Sequence, residues 1–198
     1  MLLKRFLNIL LIIACTITYA NALKQDEIEK EMTKKIDNVL LILKKPNLNF
    51  SQKGEEIIKI IDEVFDYELM ARIALGKDTW NSLSNEKQKE FSKIFENKLK
   101  KSYIEKLELY NDQKVKIVGL KPYNKTKLQL ETELVGNDGI YQINYNFYSR
   151  GSADHWLIYD VNLLGVSIIQ TYRQQFAGLL KEKTFDEMLV LLENPNNK

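Results

Sequence analysis

The chain has 198 residues, 28% of them charged, and its 29 basic residues nearly balance 27 acidic ones. Because non-specific nucleic-acid binding depends on net positive charge, this balance argues against a nucleic-acid-binding protein. A single histidine and a single cysteine cannot supply the ligand sets of ordinary zinc sites, which argues against zinc chemistry as well.

The first 22 residues have the pattern of an export signal. Lys4 and Arg5 precede the apolar run Phe6–Ala14, and Ala20-Asn21-Ala22 supplies the small residues after which a signal peptidase cuts. The run Ile12-Ile-Ala-Cys15 also resembles a lipoprotein cleavage site, at which Cys15 would be acylated, and this alternative stays open. Loss of the signal removes two basic residues and leaves 27 of each charge.

The rest of the chain is predicted to be one domain at residues 23–194, located outside the cytoplasm and followed by a disordered tail at 195–198. No later stretch reaches the roughly 20 apolar residues that a membrane span needs. Cleavage after Ala22 leaves no cysteine, so stability must come from a packed core and not from a disulfide.

Apolar residues at steps of three and four predict helices in the first half of the chain. One amphipathic helix covers Ile28–Leu43 and stops before Pro46, and Leu48–Gly54 is predicted to be a connector. A second helix contains Ile57–Val64, which is apolar around much of its circumference and therefore predicted to be buried.

A third helix is predicted from Asp66, as its N-cap, to Gly76. Ser84 then caps a long helix with one apolar stripe, formed by Phe91, Phe95, Leu99, Tyr103, Leu107 and Tyr110. Near the C-terminus, Ser167 and Gln170 form a capping box that opens another helix, and Phe185–Leu192 is predicted to be the last one.

After Asn111 the apolar period changes to two, which predicts strands at Lys114–Leu120, Thr126–Val135, Tyr141–Phe147 and His155–Leu163. One-sided alternation is typical of an antiparallel sheet with one wet face and one face covered by helices. The predicted fold class is therefore α+β: a four-stranded, curved antiparallel sheet, an NTF2-like cone, covered by N- and C-terminal helices.

Catalytic patterns are weak. The chain has no Gly-x-Ser-x-Gly nucleophile elbow, and His155, at a strand start, is most simply a surface residue. Asp160 with Tyr145 or Tyr159 would be the acid/base candidate of an isomerase or hydratase on such a cone. The favoured interpretation is that Asp160 bonds the backbone or Arg173 near the strand end.

Binding is better supported, because large aromatic side chains of the long helix, the sheet and the late helix fall on converging faces. Apolar walls with a few hydroxyl groups are typical of small-molecule pockets. The same spacing also fits an ordinary packed core, and both interpretations stay open.

Two motifs resemble the signatures of the MlaC, or toluene-tolerance, family. The first is Phe65-Asp-Tyr-Glu-Leu-Met-Ala-Arg-Ile-Ala-Leu-Gly76, followed by Trp80. The second is Trp156-x-x-Tyr-Asp-Val161 with Gly165-Val-Ser167, Tyr172-Arg173 and Phe176. Lys77-Asp78 departs from the usual basic residue after the glycine, but the order of the two motifs and the predicted elements agrees.

The resemblance implies a periplasmic carrier of diacyl phospholipids that helps to maintain outer-membrane lipid asymmetry. Its implied partners are an outer-membrane lipoprotein–porin complex and an inner-membrane ABC transporter with an MCE protein. It implies a monomer that is not an enzyme and has no cofactor, the phospholipid being cargo. Exposing some 30 methylene groups of two acyl chains to water costs on the order of 20 kcal/mol, so such a carrier must enclose the tails.

The residues expected to face lipid are apolar or aromatic: Leu69, Met70, Ile73, Tyr103, Leu107, Tyr145, Phe147, Val166, Ile169, Tyr172 and Phe176. Arg72 and Arg173 are expected either to lie near the head group or to brace a helix by pairing with Asp66, Glu68 or Asp160. Two other functions stay open: an NTF2-like small-molecule isomerase or hydratase, and a periplasmic adaptor that does not transport lipid.

Overall fold

The computed structural model describes residues 22–107, 110, 112–151 and 155–193 as an α+β fold. Apart from Ala22, the predicted export signal with its Cys15 alternative lies outside these residues, and so does the predicted C-terminal tail. In the described part of the chain, no helix is both long and apolar enough to cross a membrane.

Helices precede and follow one sheet. The described α-helices are α1 (Ile28–Leu43), α2 (Phe50–Ile61), α3 (Tyr67–Leu75), α4 (Lys77–Ser82), α5 (Asn85–Leu107), α6 (Ile168–Leu179) and α7 (Phe185–Glu193). The strands are β1 (Lys114–Asn124), β2 (Lys127–Gly136), β3 (Gly139–Ser149), β4 (Trp156–Leu163) and β5 (Val166–Ser167).

Helix α2 starts earlier than the sequence pattern predicts. The backbone N–H of Gln52 donates to Asn49 Oδ1 and the Asn49 N–H donates to Gln52 Oε1, both at 3.0 Å, so a capping box begins the helix inside the predicted connector. Gly54 is buried in α2, and a Cβ there would lie 2.8 Å from Cγ2 of Ile104 on α5. The glycine therefore permits a close helix–helix approach and does not form a turn.

The sheet is antiparallel in the order β1-β2-β3-β4-β5, so the prediction of four strands is wrong by one. The extra strand pairs Val166 with Leu163 across a turn in which Leu164 and Gly165 have φ angles of 52° and 82°. A strand of two residues is too short for alternation to be recognised in a sequence.

The predicted alternation of β2 and β3 is confirmed, because Leu128 pairs with Phe147 and Leu130 with Tyr145 on one face. The prediction of a wet opposite face is only partly right. Gln129 and Asn146 on that face are 6% and 7% exposed, and Gln129 Nε2 donates to Asn146 Oδ1 at 2.8 Å.

Three apolar clusters hold the fold together. The helical core consists of Met70, Ala71, Ala74, Leu75, Trp80, Phe91, Ile94, Phe95, Leu99, Ile169, Phe176, Met188, Leu189 and Leu192. The sheet core consists of Leu23, Ile28, Met32, Val64, Leu128, Leu130, Phe147, Trp156, Ile158 and Val161. The N-terminal cluster consists of Ile42, Leu43 and Ile57, with Leu107, Tyr110 and parts of α1 and α2 packed against it.

Candidate binding site

Asp66 fixes the start of α3 against the sheet. Its Oδ1 accepts the Leu69 N–H at 3.0 Å, as the N-cap prediction required, and its own N–H donates to the Ile158 carbonyl at 2.9 Å. Arg150 donates from Nε to Oδ2 at 2.9 Å and from Nη2 to Oδ1 at 2.8 Å. Among the described residues, Asp66 thus pairs with Arg150 and with neither Arg72 nor Arg173.

Asp160 fixes the start of α6. Its Oδ2 accepts the Ser167 hydroxyl at 2.7 Å, and its Oδ1 accepts the Ile169 N–H at 3.1 Å. Asp160 therefore binds backbone and a capping serine, as the favoured interpretation expected, whereas Arg173 forms no ion pair with it. Since both carboxylate oxygens already accept hydrogen bonds that hold a helix, a role as general acid or base has little support.

The structure distributes the predicted lipid-facing residues over several places. Met70, Ile169 and Phe176 belong to the helical core, with Ile73, Tyr103 and Tyr172 packed against it. Phe147 belongs to the sheet core and Tyr145 packs against it, while Leu107 packs against the N-terminal cluster. Leu69 belongs to none of the three clusters, and Val166 is 60% exposed beside the turn between β4 and β5.

The helical core is tightly filled by aromatic rings. The ring centroids of Phe95 and Tyr172 are 5.1 Å apart at an interplanar angle of 90°, and those of Phe95 and Phe176 are 5.7 Å apart at 75°. Phe91 adds a further edge contact with Phe176 at 5.7 Å. These edge-to-face geometries are favourable in themselves, so this part of the predicted site is an ordinary packed core.

The apolar face of the sheet is closed at one end and half-open at the other. In the row Leu128–Phe147–Ile158 the side chains are 2%, 0% and 0% exposed. In the next row Leu130 and Val161 are still buried, and in the row after that Thr132 is buried while Ile117, Ile143 and Leu163 are only partly buried. We give the name inner wall to five half-buried residues of this face that pack against the sheet core: Ile117, Leu120, Ile143, Tyr145 and Leu163.

Tyr145 of the inner wall is desolvated although it is not fully buried. Burial raises the pKa of its hydroxyl to about 12. Burial also raises the pKa of Tyr103 on α5, helped by the nearby Tyr172, Asp160 and Tyr145. Tyr103 and the inner-wall residue Tyr145 are therefore electrostatic neighbours, and partly exposed apolar side chains are typical of the wall of a small-molecule pocket.

Two buried hydroxyl groups lack hydrogen-bond partners among the described residues, those of Tyr103 and Tyr110. An unsatisfied buried polar group costs about 1–3 kcal/mol, so each one calls for an explanation. Tyr110 ends the predicted α5 stripe but was not expected to be a site residue.

Leu69 and Arg72 line a different depression, on the surface between α3 and the sheet. It has a volume of about 390 Å³ and is lined by Glu68, Leu69, Arg72, Ile73, Lys127, Tyr148, Arg150 and Tyr159. Lys127 Nζ lies 5.6 Å from the centre of the Tyr159 ring. Sequence reasoning did not find Lys127, Tyr148 or Arg150, since single residues in a strand face and a polar loop have no periodic signal.

Comparison with known proteins gives a consistent result. The family model described as "MlaC protein" matches residues 33–194. A solved structure of the phospholipid-binding protein from Ralstonia solanacearum, in complex with a phospholipid, has a similar fold, with a TM-score of 0.72 and 22% sequence identity over 88% of this chain and 97% of that one. No curated protein sequence matches the chain.

Proposed function

The chain belongs to the MlaC family, and we propose that it is a periplasmic carrier that encloses the acyl chains of a diacyl phospholipid. In this proposal the first 22 residues are removed on export, and the remaining chain shuttles lipid between the two membranes as the soluble component of an Mla-type ABC transport system. Its partners are an outer-membrane lipoprotein–porin complex and an inner-membrane MCE-protein transporter.

The half-open inner wall is the observation that carries the proposal. Beyond the packed row of Leu128, Phe147 and Ile158, the large apolar side chains of the inner wall are only partly covered, although Leu130 and Val161 between them are buried. Leaving such side chains partly exposed costs about 25 cal/mol per Å² of apolar surface, a cost that bound acyl chains would remove. The phospholipid held by the similarly folded Ralstonia solanacearum protein supports the same ligand class.

Enclosure of the tails needs no bond to be made or broken. The described residues agree with that requirement, because the strongest acid/base candidate, Asp160, caps α6 through both carboxylate oxygens. A lipid carrier therefore accounts for the arrangement better than an isomerase or a hydratase does.

Extraction of bound lipid tests the proposal directly. The exported chain, purified without detergent and extracted with organic solvent, should yield diacyl phospholipid in mass spectrometry at close to a stoichiometric amount. After removal of that lipid, the protein should take up phospholipid from vesicles and deliver it to acceptor vesicles. Several preparations without lipid, together with no uptake from vesicles, would contradict the proposal.

A further inference from the structure

The hydroxyl of Tyr103 is the most unusual polar group near the inner wall. It is buried, and no group in the described part of the chain accepts or donates a hydrogen bond to it. Asp160, which influences Tyr103 electrostatically, does not share this property, because Ser167 and the Ile169 N–H donate hydrogen bonds to it. Among the described residues, the Tyr103 hydroxyl therefore stands without a hydrogen-bond partner, whereas its acidic neighbour Asp160 is satisfied.

The position of Tyr103 indicates what kind of group could form a hydrogen bond with its hydroxyl. Tyr103 lies on α5 where the helical core ends, one helical turn before Leu107, which packs against the N-terminal cluster. Tyr145 of the inner wall lies close enough to raise the pKa of Tyr103, so the hydroxyl is near apolar surface predicted to hold tails. A tyrosine hydroxyl has an ordinary pKa of about 10, so at neutral pH it is protonated and available as a donor.

We propose that Tyr103 donates a hydrogen bond to an ester carbonyl of the bound lipid, and so selects acyl esters over alkyl ethers. This inference rests on the proposed phospholipid-carrier function. Among the parts of a diacyl phospholipid that enter an apolar site, the ester carbonyls are the acceptors nearest the tails, whereas methylene groups accept nothing. Because the hydroxyl is buried, the lipid must displace neighbouring side chains to reach it.

Competition between two lipids tests this inference. The purified chain, freed of lipid, is incubated with vesicles containing equal amounts of diacyl and dialkyl phosphatidylglycerol with matched chain lengths, and the bound ratio is measured by mass spectrometry. One neutral hydrogen bond is worth about 0.5–1.5 kcal/mol, so the wild type should favour the ester lipid roughly 2- to 13-fold. In Tyr103→Phe the ratio should fall to about one, while lipid binding persists.

Tyr110→Phe is the matched control, because it also removes a buried hydroxyl without a partner among the described residues. It should keep the wild-type preference, and any preference that arises from the vesicles would appear equally in all three proteins. A wild-type ratio of one would overturn the inference and leave the carrier function intact. Loss of the preference in Tyr110→Phe and not in Tyr103→Phe would overturn the assignment to Tyr103, and no binding of either lipid would overturn both proposals.

Discussion

Arg150, the first residue after β3, holds Asp66 at the start of α3 with two hydrogen bonds of 2.8 and 2.9 Å. Asp66 is 5% exposed at its side chain, whereas Arg150 is 54% exposed. Arg150→Ala should lower the free energy of unfolding by about 1–2 kcal/mol, because a buried carboxylate loses its charged partner while solvent screens the arginine side of the pair. Urea denaturation measures the difference.

Arg72→Ala is the matched control for Arg150→Ala. Arg72 is exposed on α3 and forms no ion pair with any described residue. Its replacement should change the free energy of unfolding by no more than about 0.5 kcal/mol. If the two variants lose equal stability, the pairing of Arg150 with Asp66 is not what holds α3.

The contact between Gly54 and Ile104 gives a second prediction. A Cβ at position 54 would lie 2.8 Å from Ile104 Cγ2 and 3.0 Å from its Cδ1, so Gly54→Ala should lower the free energy of unfolding by about 1 kcal/mol or more. In an Ile104→Ala background the clash is absent, and the same change should instead stabilise the protein by up to about 1 kcal/mol through helix propensity. Thermal unfolding of the four proteins in this cycle measures the coupling; additive effects would contradict the close approach.

Gly54 also illustrates what the sequence predicts and what it does not. Long periodic elements such as the stripe from Phe91 to Leu99 and the alternation of Leu128 and Leu130 were predicted correctly, because each repeats a local signal over several residues. Gly54 interrupts the period and suggested a connector, although tertiary contact with Ile104 is the reason for the glycine. Such a reason lies in a helix some fifty residues away and has no local pattern.

The candidate site also combines features that the sequence predicts with features that it does not. Spacing predicts that Tyr103 and Tyr145 lie on converging faces, and Tyr145 contributes to the raised pKa of Tyr103. Residue spacing alone could not distinguish Phe176 from the inner-wall residues, because all of them are apolar or aromatic. In the structure Phe176 is fully buried in the helical core, whereas the inner-wall residues are half-buried. It also could not identify Arg150 as the partner of Asp66, because 84 residues separate them along the chain.

Alkaline pH should destabilise the protein through Tyr145. Its folded-state pKa is about 12, whereas an unfolded tyrosine has a pKa of about 10. Above pH 10 the unfolded chain releases the proton first, so the stabilisation is fully present below pH 10 and is lost as the pH rises toward 12. The loss amounts to roughly 2–3 kcal/mol by pH 12.

Tyr145→Phe should remove the part of the alkaline destabilisation that Tyr145 causes. Urea denaturation at pH 9 and at pH 11.5 measures the free energy of unfolding of both proteins. Burial also raises the pKa of Tyr67 and Tyr103. The free energy of unfolding of this variant should therefore still fall at alkaline pH, but less than that of the wild type. Tyr123→Phe is the control, since Tyr123 is 55% exposed on β1 and its replacement should leave the wild-type dependence. An unchanged pH dependence in Tyr145→Phe would show that its hydroxyl is not desolvated.

A larger side chain at the C-terminal end of α5 should block lipid binding without unfolding the protein. Leu107 is only partly buried against the N-terminal cluster, so Leu107→Trp adds a ring beside other partly buried apolar side chains of α1 and α2. We expect bound phospholipid to fall several-fold in lipid extracts, whereas the circular dichroism spectrum stays that of the wild type. Val190→Trp adds the same ring at a position 50% exposed on α7, and it should retain wild-type lipid. Parallel loss of helical signal and lipid in Leu107→Trp would mean that Leu107 belongs to the structural core, because a filled core has no room for the ring.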